Sequence, residues 1–83
     1  VIEDEREWRE AGERHLDVRG LPPPRPLVTI LKRIGMLAPG ESLVVHLDRD
    51  PVLLYPELDE IGWRADPLEP EADEVRLRLR AAR

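Results

Sequence analysis

From Val75 to Ala81 the chain alternates without a break. Val75, Leu77, Leu79 and Ala81 take one phase, and Arg76, Arg78 and Arg80 the other. Successive strand side chains point to opposite faces, so this period of two predicts a full-length strand with an apolar and a cationic face. Such a strand needs paired neighbours and a cover over one face only. The rest of the chain must supply both.

Three further segments read as strands. His15 to Arg19 alternates Leu16 and Val18 against His15, Asp17 and Arg19. Ser42 to Asp48 alternates Leu43, Val45 and Leu47 against Val44 and His46, and Trp63 to Asp66 opens a third short strand. Between the first two, Leu27, Ile30, Leu31 and Ile34 fall at i, i+3, i+4 and i+7, which predicts a helix over about 25–37. Pro24 or Pro26 suits its first turn, where a missing N–H costs nothing. Pro39-Gly40 marks a turn. Asp50-Pro51 reads as a second helix start, with Leu54, Leu58 and Ile61 as its buried stripe and Gly62 as its stop. Pro56 inside it predicts either a kink or a start nearer Tyr55. The acidic stretch 66–74, with two prolines, reads as a loop.

These elements predict an α+β fold: a two-layer βαβαββ sandwich with a mixed four-stranded sheet and both helices on one face. Residues 15–83 form the domain. Residues 1–14 read as a charged N-terminal helix or frayed arm, with Glu5–Arg9 and Glu10–Arg14 as i,i+4 pairs and Trp8 and Ala11 docking it.

Eighty-three residues make one small domain that must spend every amphipathic element on a single core. The chain contains no cysteine, which excludes disulfides, thiolate metal sites and thiol catalysis. A net charge of −5 works against phosphate backbones and acidic membranes, so nucleic acid and membrane are not the expected partners. No apolar run approaches the roughly 20 residues of a membrane span. A cytoplasmic location is expected, with no cofactor.

The run Leu16-Asp17-Val18-Arg19-Gly20-Leu21, followed by Pro22, Pro23, Pro24, Arg25 and Pro26, resembles the strand-to-helix corner of the TusA/SirA-like sulfur carriers. The likeness covers about residues 15–81 and includes Pro39-Gly40-Glu41, Asp50-Pro51 and Ile61-Gly62. It implies a βαβαββ sandwich whose fourth strand lies between the second and third. In the carriers a reactive cysteine stands at the helix start; Pro23 occupies that position here. A closer likeness is to a cysteine-less bacterial branch catalogued as domain of unknown function 2249, carried by Leu16 to Leu27, Asp48 to Pro51, Leu54 to Leu58 and Gly62-Trp63. Relatives in that branch occur alone or beside hemerythrin-like domains.

Three groups of residues are candidate sites. The corner Pro22, Pro23, Pro24 and Arg25 is either a rigid connection or a docking knob. Arg19, Arg64, Arg76, Arg78 and Arg80 form a cationic stripe on the open sheet face, partly neutralised by Asp17, Asp48 and Asp66, and read either as an ion-pair lattice or as a surface for an acidic partner. His15 and His46 share that face on neighbouring strands and are weak metal candidates, with Asp17 and Asp48 two residues on. Tyr55 and Trp63 are expected to close the core edge. The expected function is a non-catalytic interaction module for an unidentified protein partner or small anion. The alternative is a metal-binding or accessory domain using His15 and His46; its link to redox or nitrogen-oxide metabolism rests on the resemblance alone.

Overall fold

A computed structural model of the protein describes residues 6–71 and 73–82. Among the described residues seven elements follow one another: β1 (Arg6–Glu10), β2 (Glu13–Asp17), α1 (Arg25–Ile34), β3 (Leu43–Leu47), α2 (Leu54–Glu60), β4 (Trp63–Pro67) and β5 (Val75–Ala81). The sheet order is β1-β2-β3-β5-β4, with β2 and β3 parallel and every other pair antiparallel. The strand at 75–81 therefore lies inside the sheet, between β3 and β4. Leu16, Val45, Leu77 and Leu79 share one core with Ile30 and Ile34 of α1 and Leu54 and Leu58 of α2, so both helices cover the same face.

Among the described residues the sheet has five strands rather than four, because residues 6–10 form an edge strand instead of a helix. Ala11 and Gly12 both take positive φ, 54° and 81°, which closes a two-residue hairpin with Glu10 opposite Glu13. Once that turn forms, Glu7 lies on the helix side and Trp8 on the open side. Arg14 then meets Glu7 across the ladder at 3.0 Å, not Glu10 along a helix. The expected Glu5–Arg9 pair lies outside the described residues.

Helix α1 ends three residues earlier than expected, at Ile34, and a turn through Leu37 leads to Pro39-Gly40, where Gly40 has φ 86°. Helix α2 begins at Leu54 rather than at Asp50-Pro51. The Asp50 carboxylate does not cap a helix; it accepts the Tyr55 hydroxyl, and a turn from Pro51 to Leu54 intervenes. Pro56 then stands third in the helix, among the N–H positions that have no partner within it, so no kink is required. Ile61 closes the helix and is exposed, not part of the buried stripe. Gly62 has φ 75° and turns the chain into β4. Tyr55 and Trp63 pack against the core edge. Pro67, expected in the loop, ends β4 on the outer edge of the sheet, where a missing N–H breaks no ladder.

Candidate functional site

The centre of the sheet's open face is shielded from solvent. All five residues of β3 are buried, including Val44 and His46, which point away from the helices. Trp8 supplies part of the cover: its indole stacks on the His15 ring at 5.3 Å and 18° and lies 5.2 Å from the His46 ring. Glu74, immediately before β5, supplies another part. Its side chain is 2% exposed and accepts hydrogen bonds from the Glu71 N–H, the Arg76 guanidinium and His46. The histidines are consequently buried, at 8% and 5% exposure, where the strand pattern predicts solvated residues.

Their geometry orders the protons. Burial raises the Glu74 carboxyl, but the bonds from the Glu71 N–H, His46 and Arg76 prevail and hold it down at about 2. It is therefore a carboxylate that only accepts, and His46 Nδ1, 3.0 Å from Oε1, carries a hydrogen. On the far side of that ring, Nε2 faces His15 Nδ1 at 3.0 Å. The ring centres are 5.2 Å apart, close to the largest separation that the gap and the two ring radii allow, so the nitrogens meet nearly head-on. A tetrahedral metal ion needs lone pairs that converge on a point rather than face each other. Neither Asp17 nor Asp48 completes a ligand set: Asp17 binds Arg19 and Arg6, and Asp48 accepts the Gly20 N–H. Among the described residues no group of three or more His, Cys, Asp or Glu is placed to hold a metal ion.

The five arginines that the sequence pattern places on the open face each meet a carboxylate. Arg19 binds Asp17 through its backbone N–H, Nε and Nη2, and Asp17, 4% exposed, is held well below the usual carboxylate range by those bonds and by Arg6. Arg76 binds Glu74, and Arg78 clasps Glu13 with Nε and Nη2 at 2.6 and 2.8 Å. Arg64 and Arg80, directly opposite each other on β4 and β5, share Asp66 at 3.0 and 2.9 Å. A polar cleft of about 450 Å³ runs between Trp8, Arg6, Arg19 and Arg76. Sequence patterning places the arginines on this face but misses Trp8, Glu13 and Glu74. Trp8 and Glu13 are legible only once residues 6–17 are seen as a hairpin, and Glu74 carries no local signal.

The second place of interest is the proline corner. Pro22, Pro23, Pro24 and Arg25 are all exposed, and the Pro23–Pro24 bond is cis. Beside them, where the parallel strands β2 and β3 end, a mainly apolar cleft of about 310 Å³ opens between the starts of α1 and α2. Val18, Leu47 and Leu54 form part of its lining, and Pro23, Pro24 and Leu53 its rim. Val52 and Leu53 are 66% and 73% exposed. Their exposure was not legible either, because the sequence there reads as the first turn of a helix.

The profile of a family described as "Uncharacterized conserved protein (DUF2249)" matches residues 15–81. The chain belongs to the DUF2249 family. The match spans every element from the middle of β2 to the end of β5, and so includes both the corner cleft and the His15–His46–Glu74 chain. It leaves β1, with Trp8, outside. No curated protein matches this DUF2249 chain. Among the described residues no helix is long and apolar enough to cross a membrane.

Proposed function

We propose that this DUF2249 domain is a non-catalytic, TusA-like interaction module of the cytoplasm that engages a protein partner through its proline corner. The observation that carries this reading is the apolar cleft between the starts of α1 and α2, with Val52 and Leu53 exposed at its edge. Large apolar side chains held out in water beside a preformed concavity are a usual mark of a docking surface. Burying each would contribute roughly 1.5–3 kcal/mol to association before ordering costs. Kinship with the sulfur carriers is supported by the order from β2 onward and by β5 lying between β3 and β4. Pro23 stands in the carriers' thiol position, and a chain without cysteine has no group to accept a persulfide.

The open face is the weaker candidate for an acidic partner or small anion. Arg19, Arg64, Arg76, Arg78 and Arg80 are already matched by carboxylates, so an incoming anion would have to displace bonds that exist. A photo-crosslinking residue placed at Leu53, and separately at Arg80, tests the choice in lysate of the native host. A discrete adduct from position 53, lost in the Val52→Asp variant, is the expected result. Both positions are exposed, so neither change should unfold the domain. An adduct from position 80 with none from 53 would overturn the proposal in favour of the open face.

A further inference from the structure

The chain of titratable groups beneath Trp8 has no part in docking at the corner, and its geometry limits how many protons it can hold. In the neutral pair, His46 Nδ1–H donates to Glu74, so His46 Nε2 is bare and accepts from His15 Nδ1–H. One added proton disturbs neither bond. Whichever ring takes it, a single hydrogen still lies between the facing nitrogens. A second added proton places N–H donors on both of those nitrogens, 3.0 Å apart, and two cations in adjacent buried rings. That bond must then break.

We propose that Glu74, His46 and His15 form a one-proton store under Trp8, and that uptake of a second proton lifts β1 from the sheet. His46 stays in place, because β3 has a strand on each side and Glu74 holds its ring. His15 must turn out to water, and Trp8 blocks that path. Trp8 belongs to an edge strand that pairs, among the described residues, with β2 alone, an arrangement that makes it easier to release than an interior strand. The charged groups around the pair are Arg6 and Glu10 from β1, Glu13 and Asp17 from β2, Arg76 and Arg78 from β5, Glu71 and Glu74 from the loop, and Arg19. Glu10 and Glu13 favour a charged His15, while burial, His46 and Arg76 oppose it, and the balance lowers its pKa. The indole face also welcomes one imidazolium, which favours the first proton and does nothing for two facing donors.

The test is a pH titration of the whole chain by NMR, following the histidine ring nitrogens and the cross-strand contacts between residues 6–10 and 13–17. Two separate protonation steps are expected. The β1 contacts should survive the first and vanish with the second, while contacts between β3 and β5 persist through both. His15→Gln keeps a hydrogen-bonding partner for His46 but takes no charge, so β1 should remain paired across the same range. The proposal is overturned if β1 leaves at the same pH in that variant. It also fails if β1 contacts in the wild-type chain outlast the second step, a result that stands even if the variant does not fold.

Discussion

Arg78 on β5 reaches over β3 to Glu13 on β2, 65 residues away along the chain, and closes a two-pronged bond across the open face. Val44, on the strand between them, is 1% exposed although it points away from the helices. The bond also holds the Glu13 carboxyl below its ordinary pKa, against the opposing effect of burial. The charge lattice therefore acts as a second cover for the sheet, tying β2 to a strand that is not its neighbour.

A double-mutant cycle with Glu13→Gln and Arg78→Gln measures that tie. Because the pair is partly exposed but two-pronged, a coupling of about 1 kcal/mol is expected, at the upper end for surface pairs and falling as salt is added. Strictly additive single effects would mean that the two side chains do not meet in solution.

Stability should fall with acid in two stages. His15 has a folded pKa below its ordinary 6.5, so the folded state resists a proton that the unfolded chain accepts. Its contribution is full above about 6.5 and declines as pH drops below that value. Glu74 is depressed from 4.5 to about 2, and Asp17 is also depressed from 3.8; their contributions are full above those ordinary values and lost on further acidification. Urea midpoints measured against pH should show a shallow decline beginning below about 6.5 and a steeper one below about 4.5. Glu74→Gln should flatten the steeper leg and cost about 3 kcal/mol at neutral pH, because it leaves the half-buried Arg76 and the buried His46 without their anion. A single transition with no change between pH 7 and 5 would contradict the burial of His15.

The hairpin turn offers a gain of stability. Ala11 has φ 54°, a conformation in which its Cβ is crowded and glycine is not. Ala11→Gly should raise the stability of the β1–β2 hairpin by roughly 0.5–1 kcal/mol, read as a higher urea midpoint and slower exchange of the residue 6–10 amides. Destabilisation would indicate that residues 10–13 do not form this turn.

The elements from β2 to β5 were legible because each carries a period that only one secondary structure satisfies. Leu16 and Val18, the stripe Leu27-Ile30-Leu31-Ile34 and the run from Val75 to Ala81 each show one apolar face, and one core accommodates all of these apolar residues except Ala81, which is exposed at the strand end. The α2 start was misread because Asp50-Pro51 is a valid local start signal that loses to the Tyr55 hydroxyl, a partner made available by the turn.

Residues 6–10 hold one apolar side chain, Trp8, among four charged ones, a pattern that suits a polar helix or an edge strand, and nothing within REWRE chooses between them. The choice is made by a ready edge on β2 and by a buried surface for Trp8 to cover, neither of which exists before the sheet forms. The histidines show the same division. Their positions on β2 and β3 put them on one face by sequence alone, since strand parity is fixed residue by residue. Whether that face is wet or dry depends on what lies over it. Trp8 arrives from an antiparallel neighbour and Glu74 from a loop 28 residues beyond His46, so the head-on pair beneath them exists only in the assembled sheet.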